Sequence, residues 1–183
     1  VTVANSTFTS NSDTNLEIHA SGAVKVTNLY STKSVSGRGL YVNNHTYNSI
    51  PVPVTILGAF LIGNAQDGAF IGSDGTITVA GITALENGWD GMYLDNWWST
   101  GSTGNIIVSG SLGLNRFNEN TGGRGLYTGS YGNLSLSSIQ ANGNSTSGIV
   151  INGYGSISNV ALVNVEASGN LGVGHYGVRV IAN

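Results

Sequence analysis

Apolar and polar residues alternate with a period of two in short runs along the whole chain, and glycine, asparagine and serine punctuate the gaps. One unit runs from Thr76-Ile77-Thr78-Val79, through a polar stretch containing Asn87, to Gly91 and a second alternation, Met92-Tyr93-Leu94. The same order returns in Asn133-Leu134-Ser135-Leu136, through Asn144, to Gly148-Ile149-Val150-Ile151. A period of two belongs to strands, and no window of eleven or more residues carries the 3.6-residue period of a helix. The glycine ending each polar stretch stands at 39, 68, 91, 125, 148 and 177, with Asn15 in its place in the first copy. The preceding alternations begin near Val1, Val24, Val54, Ile77, Ile106, Leu134 and Ile157, at intervals of 23 to 30 residues. A unit this small cannot bury its own apolar face, so it must stack on copies of itself. Short strands and turns in about 23 residues describe one coil of a parallel β-helix.

Alternation also assigns faces. After each glycine the first and third residues point inward: Leu40/Val42, Ala69/Ile71, Met92/Leu94, Leu126/Thr128, Ile149/Ile151 and Val178/Val180. Val24/Val26, Ile77/Val79, Ile106/Val108 and Leu134/Leu136 do the same on the other strand, and Phe8, Phe60, Ile82, Leu112, Ile139 and Leu162 are expected to add further inward stacks. The recurrent glycine is expected to adopt a turn conformation that other residues resist.

Composition narrows the classes. The chain has 183 residues, no cysteine, 28 glycines, 22 asparagines, 22 serines and 16 threonines, and only 8% charged residues with a net charge of −3. Six scattered basic residues do not make a nucleic-acid surface. No apolar run approaches the roughly 20 residues of a membrane span. At 40% hydrophobic, the chain is too apolar for disorder.

The runs VTVANSTFTSN, GTITVAGITALENGWDGMYLDN and GNLSLSSIQANGNSTSGIVING resemble right-handed parallel β-helix proteins of the pectate-lyase-like class, most closely the repeat arrays of large bacterial surface proteins. The resemblance spans residues 1–183. It implies one all-β domain, a right-handed parallel β-helix of about seven coils, and an extracellular or cell-surface setting. The scaffold carries lyases, hydrolases, adhesins and tailspikes alike, so function has to be argued from particular residues.

Four groups are candidates. Asn11, Asn64, Asn87 and Asn144 each lie four residues before the turn position and predict an asparagine ladder along the stack. Tyr41, Phe70, Tyr93 and Tyr127 are the second residues after successive turn glycines and form an outward aromatic row, joined by Trp97 and Trp98. Such a row suits sugar rings, lateral contact with a neighbour, or plain cross-strand stacking. Asp67 and Asp90 precede successive turn glycines and make the one pair for carboxylate catalysis or calcium, with Arg38 and Arg124 in the same register on either side. Charge pairing is the simpler reading of that set. The three histidines are out of register with one another, so no metal centre or cofactor is expected.

Finally, the pattern shows no capping segment: Val1 and Val3 open it within a strand, and Val178, Val180 and Ile181 close it within another. Open strand edges recruit strands. The expected function is a non-catalytic structural rod that stacks or continues end to end into a surface filament. A carbohydrate-binding or polysaccharide-degrading domain, with glycans as partner, is the alternative from a different class. An adhesin passenger or stalk is the third.

Overall fold

The computed structural model describes residues 1–45, 51–96, 104–154, 159–172 and 174–182. Two all-parallel sheets wind through it. One contains β1 (Thr2–Thr9), β3 (Val24–Thr32), β5 (Val54–Ile62), β7 (Ile77–Leu85), β9 (Ile106–Ser109), β10 (Asn115–Asn118), β12 (Leu134–Gln140) and β14 (Val160–Glu166). The other contains β2 (Leu16–His19), β4 (Leu40–Asn44), β6 (Ala69–Ser73), β8 (Met92–Asn96), β11 (Leu126–Ser130), β13 (Ile149–Gly153) and β15 (Val178–Ala182). Successive strands alternate between the sheets, except that β9 and β10 both lie in the first, where the 3-10 turn Gly110–Leu112 splits one rung in two; the stacked coils make a parallel β-solenoid of about six turns. This is the all-β parallel solenoid expected, with seven rungs in each sheet. Among the described residues there is no α-helix, and so none long and apolar enough to cross a membrane.

The long strands of the first sheet are bent midway. A residue with positive φ sits at the bend in six coils: Asn5, Asn28, Gly58, Gly81, Ser138 and Asn164. Each bend moves the alternation by one position. Val54 and Ile56 point inward before Gly58, and Ala59 and Leu61 after it. This corrects the reading of Phe60, which is 49% exposed beside Tyr30 on the outer surface. Leu112 is also outside, because a 3-10 turn, Gly110–Leu112, interrupts that coil and lifts it away from the core. Leu162 keeps an inward register opposite Leu136 but is exposed, because β14 pairs with β12 alone among the described residues; Val178 and Val180 of β15, which pairs with β13 alone, are exposed in the same way. The last repeat starts at Val160, the partner of Leu134, and Ile157 falls outside the described residues.

Inside, Leu40, Ile71, Leu94, Leu126, Ile56, Ile77, Ile106 and their stacked neighbours are fully buried in one continuous cluster. Each such side chain contributes roughly 1.5–3 kcal/mol, which makes these aliphatic columns the main stabilising term.

A second column of positive φ turns the chain out of the first sheet: Ser10, Lys33, Gly63, Glu86, Glu119, Gly143 and Gly169. Glycine suits this conformation, whereas Glu86 and Glu119 hold it against the steric preference of L-residues. Replacing the exposed Glu86 with glycine, as at Gly63 one coil away, is therefore expected to raise stability by about 0.5–1 kcal/mol after the entropy of the unfolded chain is counted. Chemical unfolding measures this, and a loss of stability would remove the strain argument.

The turn glycines at 39, 68, 91, 125, 148 and 177 do not have positive φ. Their reason is space, not conformation. A Cβ on Gly91 would lie 2.6 Å from the Gly125 carbonyl and 2.7 Å from Asn120 Nδ2.

Candidate functional site

Each residue following the corner column faces its counterpart in the next coil, and all but one are asparagine. Asn64 Nδ2 donates to Asn87 Oδ1 (3.0 Å), Asn87 to Asn120 (3.1 Å), Asn120 to Asn144 (2.8 Å) and Asn144 to Asn170 (3.0 Å). The same oxygens also accept backbone N–H groups from the preceding coil. Ser34 is the exception, and Asn15 reaches past it to Asn64 Oδ1 (3.1 Å) while accepting from Asn11 Nδ2 (2.8 Å). Asn11 thus stands at the exposed end of the ladder. Asn15, Asn120 and Asn170 were missed because longer turns separate Asn120 and Asn170 from their glycines. Counting forward from the preceding strand would have found those two.

The aromatic row is stacked. Ring centroids are 5.5 Å apart for Tyr41–Phe70, 4.8 Å for Phe70–Tyr93 and 4.3 Å for Tyr93–Tyr127. The Arg38 guanidinium lies over Tyr41 and Phe70, and that of Arg124 over Tyr93 and Tyr127, at 4.4–5.8 Å. Tyr127 is buried, and its hydroxyl shares a 2.8 Å hydrogen bond with Tyr154 and accepts from Asn152 Nδ2 at 2.7 Å. Trp97 and Trp98 lie outside the described residues.

The four charged residues are brought together as two ion pairs. Arg38 Nε donates to Asp67 Oδ2 (2.9 Å), and Arg124 grips Asp90 through Nη2 (2.7 Å) and Nε (3.1 Å). Asp67 Oδ1 accepts the Asp90 N–H (3.1 Å), and Asp90 Oδ1 accepts the Arg124 N–H (2.6 Å). Both carboxylates are buried. Burial pushes the Asp67 carboxyl above its usual range, and the hydrogen bond from Arg38 only partly offsets this. Each of the four carboxylate oxygens already accepts at least one hydrogen bond. Among the described residues, no group of three or more His, Asp or Glu side chains comes together to hold a metal.

Beside these pairs lies an open cleft of about 500 Å³, walled by Trp89, Phe70 and Tyr93 and edged by Arg38 and Arg124. Trp89 is 51% exposed. The size falls within the range of small-molecule sites.

The neighbouring phenols titrate late. Burial raises Tyr93, with the Asp95 charge adding to it, burial raises Tyr127, and burial foremost pushes Tyr154 up to about 12. A raised folded-state pKa contributes stability fully present below the ordinary value near 10 and lost as pH rises through the folded value. Stability is therefore expected to fall above pH 10. In Tyr154→Phe the fall between pH 10 and 12 should be shallower, read by urea unfolding at each pH. An unchanged slope would dissociate Tyr154 from the effect.

The chain matches no protein-family model, no curated protein and no solved structure. What stands of the resemblance is its architecture, a parallel β-solenoid.

Proposed function

We propose that this chain is a non-catalytic structural protein, a solenoid rod that stacks or continues head to tail into an extracellular surface filament. Shared register carries this reading: the inward columns and both sheets pass from coil to coil along the long axis, and the asparagine ladder runs with them from Asn64 to Asn170. A repeat of this kind grows by addition, because the edge of one coil is the template for another. The resemblance of the repeat runs to right-handed β-helix arrays of bacterial surface proteins, adhesin stalks among them, is the sequence argument for it. Electron microscopy and sedimentation of the chain over a range of concentrations test it. Rods longer than one solenoid, with an axial repeat of about 4.8 Å, are expected. A strictly monomeric particle at the highest concentration would count against assembly.

The cleft beside Trp89 favours a second reading, a glycan-binding face on the same rod. Aromatic walls and arginine edges suit a sugar ring carrying polar or acidic substituents. A glycan array decides: a hit that survives Trp89→Ala and Tyr93→Ala unchanged would exclude this cleft.

A further inference from the structure

The two ends of the solenoid are complementary at the level of single residues. Bond directions repeat from coil to coil, so the donors and acceptors that a coil presents on one edge complement those on its other edge. Extending the register of β1 on β3 and of β14 on β12 by one step aligns the two bends, Asn164 (φ 53°) with Asn5 (φ 50°). Leu162 then meets Val3, and Val163 meets Ala4. In the other sheet the same step places Val178 on Leu16, Arg179 on Glu17 and Val180 on Ile18. The inward positions at the junction are apolar on both sides except Ser6, which meets Val165 just past the bend. The outward position brings a cation against an anion.

We infer that one copy of this chain docks on another in this single register, β14 on β1 and β15 on β2, with the Arg179–Glu17 pair selecting it. The inference rests on the filament reading and names its contact. Glu17 is 54% exposed in its side chain and is held by His19 at 2.6 Å, while the Arg179 guanidinium lies 5.5 Å from the Tyr176 ring centre. Both charges are thus placed on the outer surface by their own neighbours. Two polar contacts follow the same translation. Asn28 Nδ2 donates to Asn5 Oδ1 at 2.8 Å, and Asn5 of the next copy is in position to do so to Asn164. Asn170, which accepts from Asn144, continues the ladder into Asn11 of the next copy.

The experiment uses charge reversal at exposed positions, which leaves the core untouched. Glu17→Arg and Arg179→Glu are each expected to raise the concentration needed for assembly at least about tenfold, because like charges then face each other across the junction. Mixed in equal amounts, the two variants should co-assemble near the wild-type concentration, since every junction regains opposite charges. Register is read separately in this cysteine-free chain. Ala4→Cys with Val163→Cys should link copies into a disulfide ladder on oxidation, because adjacent parallel strands lie about 4.8 Å apart. Thr2→Cys with Val163→Cys should not. Wild-type filaments unaffected by either reversal, or cross-linking by the Thr2 variant alone, would overturn this register and leave the filament reading intact. A wild type that never assembles overturns both.

Discussion

Asn87→Ala is expected to lower the unfolding free energy by about 3–5 kcal/mol, since each buried polar group left without a partner costs roughly 1–3 kcal/mol. Asn87 is fully buried and works in both directions. Its Oδ1 accepts the Asn64 N–H (3.1 Å) and side-chain amide (3.0 Å), and its Nδ2 donates to the Leu61 carbonyl (2.9 Å) and to Asn120 (3.1 Å). Alanine removes all four bonds in a dry interior, leaving the Asn64 side-chain amide only the Ser31 carbonyl and Asn120 Oδ1 only the backbone N–H of residue 87. Asn87→Asp does no better: it keeps the acceptor, loses both donors and buries a charge. Asn11→Ala is the control, since Asn11 is exposed at the ladder's end and should cost less than about 0.5 kcal/mol. Urea unfolding of the three variants measures the difference. Equal midpoints for Asn87→Ala and Asn11→Ala would mean that the ladder is a by-product of the fold and not one of its supports.

The ladder also shows where sequence and structure part company. Strand periodicity, coil spacing and the inward columns were all legible, because a buried aliphatic stack leaves the same mark in every repeat. Phe60 was misread because alternation carries no record of a bend. Gly58 shifts the phase by one, and nothing about a glycine in a strand says on which side the phase resumes. Non-glycine residues hide the bend elsewhere: Asn28, Ser138 and Asn164 adopt the same positive φ without a compositional signal as strong as glycine. Leu112 was misplaced for a related reason, an insertion that conserves polarity while leaving the strand. At the candidate site, register alone brought Arg38, Asp67, Asp90 and Arg124 into one line. It could not reveal that each arginine bends back onto the carboxylate of its neighbour and covers the aromatic row. Nor could it foresee Tyr154 and Asn152, which reach Tyr127 from the next coil.

Gly91→Ala should be about as damaging as the loss of Asn87, at roughly 3 kcal/mol, the upper end of what overpacking usually costs. The added methyl meets two atoms closer than carbon tolerates, the Gly125 carbonyl at 2.6 Å and Asn120 Nδ2 at 2.7 Å. Neither is the tip of a flexible side chain. One is the backbone acceptor for the Met92 N–H of the same coil (3.1 Å), and the other is a rung of the ladder. Relief therefore requires the two coils to separate, which lengthens strand bonds on both sides of the turn. Gly22→Ala provides the contrast: its Cβ meets nothing within 4 Å, and φ there is not positive, so the change should lie within about 0.5 kcal/mol of neutral. Adding Asn120→Ala to Gly91→Ala removes only one of the two clashes and creates orphaned ladder groups, so the pair should be clearly non-additive. Were Gly91→Ala to unfold at the wild-type urea concentration, the glycine column would not be set by the closeness of adjacent coils. Its recurrence at six turns would then need a cause other than space.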